Sequence, residues 1–201
     1  MQNEVKLFQN GPMANNTYLL TNGSIAVIID PSFNVSKLIN YVDTHKLVVK
    51  AILLTHAHYD HWVSLDSLVA LYQCPFYLRE AEHHYLVDKN LSLGQITNLI
   101  PLDYPAILNI DNFTFDIYDT PGHSPGSVCL LWRNNLFTGD CLFAGDIGRT
   151  DLPGGSTIKM RETLKYLASW TADYNIYPGH NESSSLTHEQ TFNLSLAQFK
   201  K

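Results

Sequence analysis

Hydrophobic and polar positions in the first half of the chain predict strands and helices in alternation. The segment "TYLLTNGSIAVIID" holds two apolar runs separated by Asn22-Gly23, which is a strong signal for a β-hairpin. Apolar residues at helical spacing predict a helix in "NVSKLINYVDTH", and the short β-branched run "VVKAILLT" predicts a buried strand. The patterns that follow predict a helix in "SLDSLVALYQ" and a strand in "PFYLR".

The second half continues this alternation. "NFTFDIYDTPG" alternates as a strand does, and "SVCLLWRNNLFTGD" predicts two strands joined at Asn134-Asn135. Helices are predicted in "STIKMRETLKYLASW", with Ser156 as its N-cap, and in "LTHEQTFNLSLAQF", while "YNIYPGH" predicts a strand that runs into a turn. Residues 80–105 are weakly patterned and favour a short helix followed by a loop or insertion. Because hairpins dominate each half, the pattern favours an α/β protein with mixed sheets and outer helices.

Composition restricts the classes of protein that remain. The chain has 201 residues, 45% hydrophobic and 16% charged, which is typical of one globular domain over residues 1–201. A net charge of −6 without a basic run disfavours a nucleic-acid partner. The N-terminus shows no signal-peptide pattern, and no apolar run is long enough to span a bilayer. With three widely spaced cysteines read as free thiols, we expect a cytoplasmic protein without a membrane partner.

The segment "ILLTHAHYDHWVS" places three histidines and a carboxylate within six positions: His56, His58, Asp60 and His61. Side chains two apart on extended backbone point the same way, so His56 and His58 can converge on one ion. Asp60 and His61 follow a turn and can face a second ion beside the first. Imidazole nitrogen and carboxylate oxygen together suit zinc, manganese or iron.

Three later segments share a possible metal ligand at a strand end, beside glycine. "DTPGHSPGS" offers His123, "LFTGDCLF" offers Asp140 and "IYPGHNE" offers His180. Glycine allows the backbone to turn tightly and to approach an ion closely. We therefore expect these three side chains to join the cluster.

Together with "GRTDLPGG", these motifs resemble the metallo-β-lactamase superfamily and, within it, the glyoxalase II-like (hydroxyacylglutathione hydrolase-like) branch. The resemblance implies a four-layer αβ/βα sandwich, with two mixed sheets, helices on the outer faces and metal ions at the edge between the sheets. It implies two divalent ions per chain, with zinc expected and iron or manganese as alternatives. The ligands it assigns are His56, His58 and His123 for the first ion, Asp60, His61 and His180 for the second, and Asp140 as the bridging carboxylate.

The activity implied by the resemblance is hydrolysis, in which a hydroxide held by the ions attacks a thioester or a related ester. Asp60 is the side chain expected to orient that hydroxide. Full-length glyoxalase II carries a C-terminal helical region that grips glutathione, whereas only residues 181–201 follow His180 here, without a basic cluster. We therefore expect a short form acting on a small-molecule thioester or ester, with S-lactoylglutathione disfavoured.

Other readings of the same residues lead to different classes of protein. A persulfide dioxygenase would use one iron held by His56, His123 and Asp140, and a metal-binding protein without activity is a third class. "GHSPG" matches the serine-hydrolase pattern G-x-S-x-G, but a strand follows it and Pro125 has no N–H to offer an oxyanion.

Residues next to the motifs have structural predictions of their own. Cys141 is expected to be a small buried residue that fills the core. Arg149 and Asp151 are expected to pair and shape a loop. Tyr59, between two ligands, is expected either to line the pocket or to pack.

Overall fold

The structure of the protein is a computed structural model, and it describes residues 4–83 and 107–200. The first sheet is mixed and has five strands in chain order: β1 (Glu4–Asn10), β2 (Asn15–Asn22), β3 (Ile25–Ile29), β4 (Val48–Leu53) and β5 (Phe76–Tyr77). The first three strands are antiparallel, whereas β3, β4 and β5 run parallel. The parallel connections contain helices α1 (Ser36–Thr44) and α2 (Leu65–Tyr72).

The second sheet is also mixed and has the order β11-β10-β9-β8-β7-β6. Its strands are β6 (Ile107–Ile110), β7 (Phe113–Asp119), β8 (Val128–Trp132), β9 (Asn135–Gly139), β10 (Asn175–Pro178) and β11 (Ser184–Ser185). Only the β9–β10 pair is parallel among these described strands, and helix α3 (Thr157–Ala168) lies between its two members along the chain. Helices α4 (Leu186–Phe192) and α5 (Leu194–Ala197) close the described part of the chain.

Buried apolar side chains form three layers, as a four-layer sandwich requires. On β3, Ala26 and Ile28 face α1 and α2, whereas Val27 and Ile29 face the second sheet. Because successive side chains of a strand point to opposite faces, a strand covered on both sides is apolar at every position. Strand β8 is likewise divided between the inter-sheet core and a third cluster under α3, α4 and α5. The predicted fold class, two mixed sheets with helices outside, is confirmed.

Most predicted elements are present. The predicted hairpin is present, but its two-residue turn is Gly23-Ser24, one residue later than predicted, and Gly23 has a φ of +67° that suits glycine. Ser156 caps α3, since its Oγ accepts a hydrogen bond from the backbone N–H of Lys159 at 3.3 Å. The predicted strand in "PFYLR" is limited to the two residues of β5. Residues 80–83 are helical, and the rest of the predicted helix and loop up to residue 105 lies outside the described residues.

Two further boundaries differ from the prediction, and three edge strands were not predicted. The turn between β8 and β9 lies at Arg133 and Asn134, one residue earlier than predicted, with Arg133 at a φ of +60°. The single closing helix is two short helices, because Asn193 is extended and its side chain accepts a hydrogen bond from the N–H of Ser195. Strands β1, β6 and β11 have weak apolar patterns of their own and are ordered by pairing with a neighbouring strand.

Across residues 4–83 and 107–200, every helix is too short or too polar to cross a membrane.

Candidate metal centre

The candidate site lies at one edge between the two sheets, where several strands end. His56 and His58 follow β4, and Asp60 and His61 lie in a single 3₁₀ turn, Tyr59–His61. The other three predicted ligands, His123, Asp140 and His180, follow β7, β9 and β10. The backbone N–H of Val128 donates to the carbonyl of Thr55 at 3.0 Å and so ties the second sheet to the end of β4.

Three histidines form the first group. One ring nitrogen of each of His56, His58 and His123 lies within 4.8 Å of the others, and Nδ1 of His58 is 2.7 Å from Nε2 of His123. The Nε2 atom of His56 is buried and has no hydrogen-bond partner among the described residues. Because buried polar atoms are nearly always paired, an unpaired nitrogen beside two converging nitrogens fits a cation.

The second group consists of Asp60, His61 and His180, whose ligand atoms also lie within 4.8 Å of one another. Nε2 of His61 is 3.3 Å from Nε2 of His180, which in turn is 3.4 Å from Oδ2 of Asp60. The structure thus places two sets of donors side by side, each with three ligand atoms.

Asp140 lies between the two groups. Its Oδ1 is 3.2 Å from Nε2 of His61, and its Oδ2 is 3.3 Å from Nε2 of His123. Oδ1 is also buried without a hydrogen-bond partner among the described residues. The structure thus brings together all seven side chains that the sequence predicts as ligands.

The outer nitrogens of three histidines are held by oxygen acceptors. Nδ1 of His61 faces a carboxylate oxygen of Asp30 at 3.0 Å, and Nδ1 of His123 and of His180 face backbone carbonyls at 2.8 and 3.0 Å. A carboxylate or carbonyl accepts only from a protonated nitrogen, so Nδ1 of each ring keeps its proton and Nε2 is the nitrogen left to bind a metal.

In the metal-free protein, the histidine pKa values are shifted in opposite directions in the two groups. Burial, reinforced by the neighbouring His123, lowers the pKa of His58 to about 4, and burial also lowers that of His56. Burial opposes charge in the second group too, but contacts with Asp140 and Asp60 raise the pKa of His180 to about 9. Burial also opposes charge on Asp60, but the contacts with His180, His61 and Asn15 together lower its pKa to about 2. A cation entering the second group therefore replaces protons that otherwise balance the carboxylates.

Comparison with known proteins identifies the family. The family model described as "Metallo-beta-lactamase superfamily" matches residues 10–180, which is most of the chain. The chain belongs to the metallo-β-lactamase superfamily.

Similar proteins of this superfamily have names that indicate hydrolysis. A probable metallo-hydrolase of Streptococcus pyogenes serotype M6 is 36% identical over 196 residues, which cover 89% of this chain and 84% of the relative. The probable polyketide biosynthesis zinc-dependent hydrolase PksB of Bacillus subtilis is 30% identical over 164 residues, covering 81% of this chain and 70% of PksB. The chain is therefore a member of a metal-binding superfamily with probable metallo-hydrolases among its relatives.

Solved structures of the superfamily agree with the fold. The crystal structure of BLEG-1 B3 metallo-beta-lactamase superposes with a TM-score of 0.85 at 32% identity, covering 96% of this chain and 99% of that one. TTHA1623 in a di-iron-bound form superposes with a TM-score of 0.79 at 32% identity, covering 94% and 98%. The glyoxalase II-like branch stays a prediction.

Two residues that hold predicted ligands of this superfamily member were missed in the sequence. Asp30 is buried, accepts hydrogen bonds from N and Oγ1 of Thr55 at 2.8 and 2.7 Å, and faces His61. Asn15 donates to Oδ2 of Asp60 at 2.8 Å. Asp30 had a usable signal, since it ends an apolar strand as Asp140 does. Asn15 had none, because it lies far from Asp60 in the sequence.

Glycine next to the ligands is required by close packing. A Cβ atom on Gly179 would lie 2.3 Å from Oδ1 of Asp140 and 2.5 Å from Cε1 of His61. A Cβ atom on Gly148 would lie 1.7 Å from the carbonyl oxygen of Asp140. The absence of a side chain at Gly179 therefore allows its backbone to lie against Asp140 and His61, while close approach to an ion stays a prediction.

The remaining predictions for residues near the site also have clear outcomes. Ser124 is buried, donates to Oε1 of Glu82 at 2.7 Å and precedes a strand, so it lacks the setting of a serine nucleophile. Cys141 is fully buried in the cluster under α3, as a filler residue should be. Arg149 pairs with Asp151 through two hydrogen bonds of 2.7 and 2.8 Å, as predicted.

An open cavity of about 870 Å³ lies over the donors. Its described apolar lining includes Met13, Phe143 and Leu152, and the exposed ring of Tyr59 also lines it. Tyr59 therefore lines the pocket and also packs, since its ring lies edge-on to that of Trp62 with the centroids 5.2 Å apart.

Proposed function

We propose that this chain is a dinuclear metal-dependent hydrolase that cleaves small-molecule thioesters or related esters. The observation that carries the proposal is the convergence of seven imidazole and carboxylate donors beneath an open cavity. His56, His58 and His123 would hold one ion, and Asp60, His61 and His180 the other. Asp140 would contact both, because its two oxygens face one histidine of each group.

The donor set supports zinc as the first choice of metal. Imidazole nitrogen and carboxylate oxygen are common zinc ligands, and PksB is named zinc-dependent. Iron is the second choice, since TTHA1623 has a di-iron-bound form. When bound, two such ions supply a Lewis acid for a carbonyl and lower the pKa of water toward neutrality.

The chain's own residues orient the reactants. Asp60 lines the cavity, and the bond from Asn15 fixes its Oδ2, so the carboxylate can accept a hydrogen bond from water in the cavity. A thiolate is a stable leaving group and departs without a dedicated general acid, which makes a thioester the simplest substrate for this site.

The cavity lining supports an acyl group with apolar character. Met13, Phe143 and Leu152 offer apolar contacts, and Tyr59 offers an exposed ring. Among the described lining residues Arg149 is the only Lys or Arg, and Asp151 already neutralises it. The described part of the pocket therefore offers no uncompensated cation of this kind for the carboxylates of glutathione.

The test combines elemental analysis with an activity panel. Purified chain is stripped with EDTA, reloaded with zinc, and assayed on S-lactoylglutathione, uncharged N-acetylcysteamine thioesters and p-nitrophenyl esters. We expect about two ions per chain, hydrolysis that is lost on stripping and restored on reloading, and loss of hydrolysis in His58→Ala. His45→Ala is the matched control, since His45 is exposed on the first turn after α1.

Two outcomes would contradict the proposal. Less than one ion per chain together with no hydrolysis of any ester would reject a dinuclear hydrolase. Oxygen uptake with glutathione persulfide at one iron per chain, without hydrolysis, would favour the dioxygenase instead.

A further inference from the structure

A buried carboxylate outside the seven donors contacts the loop that carries two of them. Glu82 lies in the helical turn 80–83 after β5 and is 0% exposed. Its Oε2 accepts a hydrogen bond from the backbone N–H of Ala57 at 2.8 Å. Ala57 separates His56 from His58, so this bond acts on the peptide between two ligands.

The other oxygen of the same carboxylate contacts the loop that carries the third ligand. Oε1 of Glu82 accepts from the backbone N–H of Gly126 at 2.5 Å and from Oγ of Ser124 at 2.7 Å. Both donors follow His123 within three residues. One side chain therefore joins the two loops that supply the whole first group.

Further side-chain contacts fix the loop at Ala57 and the turn that carries Glu82. Nε1 of Trp62 donates to the carbonyl of Ala57 at 3.0 Å, so both the N–H and the carbonyl of Ala57 are hydrogen-bonded to side chains. Arg79, at the start of the same turn, forms a bidentate pair with Asp119 at the end of β7. Glu82 thus sits on a turn that is anchored to the second sheet and reaches the loop after β4 of the first.

We infer that Glu82 is a positioning residue for the first metal ion, because it sets the separation between the loop of His56 and His58 and the loop of His123. This inference rests on the metal centre proposed above. Other contacts hold the second group: Asp30 on His61, Asn15 on Asp60 and the Met13 carbonyl on His180. Glu82 should therefore act on one ion and not on the other.

The substitution Glu82→Gln tests this directly. An amide offers one acceptor oxygen and places an NH₂ group opposite one of the backbone N–H donors, so one loop loses its anchor. Residues that orient metal ligands typically change metal affinity by about 10- to 100-fold. Glu80→Gln is the matched control, since it makes the same change on an exposed residue of the same turn.

The measurement is zinc affinity at each site, by competition with a chromophoric chelator and by elemental analysis of the full chain. Glu82→Gln is combined with His180→Ala, which leaves the first group intact, and with His123→Ala, which leaves the second. We expect the ion that remains in the His180→Ala background to bind about 10- to 100-fold more weakly. The ion that remains in the His123→Ala background should change by less than about twofold.

Equal effects in both backgrounds, or none in the first, would overturn the inference. If circular dichroism shows that Glu82→Gln does not fold, Ser124→Ala decides, because it removes one donor and keeps the carboxylate. Ser124→Ala should then weaken zinc binding at the first group about fivefold, and an unchanged affinity would reject the positioning role of Glu82. A wild-type chain that binds less than one ion contradicts the proposed centre, whereas two ions and an unaffected Glu82→Gln contradict this inference alone.

Discussion

Replacing Asp30 with asparagine should weaken binding of the metal ion proposed for the second group, while the protein stays folded. Asp30 is 2% exposed, and its carboxylate contacts N and Oγ1 of Thr55 and Nδ1 of His61. Its backbone has a φ of +49°, which asparagine adopts about as readily as aspartate. The substitution therefore changes hydrogen bonding without adding backbone strain.

The expected magnitude follows from the three bonds. If the remaining oxygen keeps the bond to the N–H of Thr55, the new NH₂ group faces Nδ1 of His61. His61 can offer Nε2 to an ion only when Nδ1 carries the proton, so two donors then oppose each other. A buried donor left unpaired costs about 1–3 kcal/mol, which corresponds to roughly 5- to 150-fold weaker binding.

The assay is chelator competition on the zinc-loaded chain. We expect one ion to be released at a lower chelator concentration than in the wild type, and the other at the wild-type concentration. Asp66→Asn is the control, since Asp66 is an exposed aspartate in the first turn of α2. Wild-type retention of both ions by Asp30→Asn would refute the argument that the carboxylate sets the tautomer of His61. If Asp30→Asn weakened binding of both ions equally, the argument that Asp30 acts only on the second group would be refuted.

Three further substitutions test other parts of the structure. Gly179→Ala should lower zinc binding by about tenfold or more in elemental analysis, because the added Cβ would lie 2.3 Å from a carboxylate oxygen of Asp140. Phe137→Ala should lower the free energy of unfolding in urea by about 3–5 kcal/mol, because its ring is fully buried between the sheets. Asn15→Ala should lower kcat for thioester hydrolysis by roughly tenfold or more, because Asp60 loses a hydrogen bond to its charged group.

Each of these has a control on the same chain. Gly23→Asn places a side chain at a positive φ with nothing within 4 Å and should keep both ions. Leu194→Ala, at an 87% exposed position, should change unfolding by less than about 0.5 kcal/mol. Asn40→Ala, on the exposed face of α1, should keep wild-type kcat. Full zinc binding in Gly179→Ala, unchanged unfolding in Phe137→Ala or wild-type kcat in Asn15→Ala would contradict the corresponding argument.

Local chain geometry explains why so much of the site was predictable. His56, His58, Asp60 and His61 are close in space because they are close in sequence, on a short extended segment and one turn. The three distant ligands carried a second local signal, a strand end beside glycine. Gly179 illustrates it, because no side chain fits between the donors at that position.

Edges and helix ends were less predictable for a related reason. Strand β1 and the two-residue β11 carry little periodicity and exist because a neighbouring strand supplies hydrogen-bond partners. The break between α4 and α5 depends on Asn193, whose Nδ2 donates to the carbonyl of Asp146 and to Oε2 of Glu189. Asp146 lies 47 residues before Asn193 in the sequence, so no local pattern predicts the break.

The sequence by itself determined the donor types, the order of the strands and helices that carry them, and the family. The resemblance already implied the two groups and the shared Asp140, and only the tertiary structure gives the distances that bring each group together and place one Asp140 oxygen near each. It alone placed Asp30, Asn15 and Glu82 against the ligand loops. The physical reason is that periodicity records burial on one face of an element, whereas a hydrogen bond between distant residues exists only after the two sheets have packed.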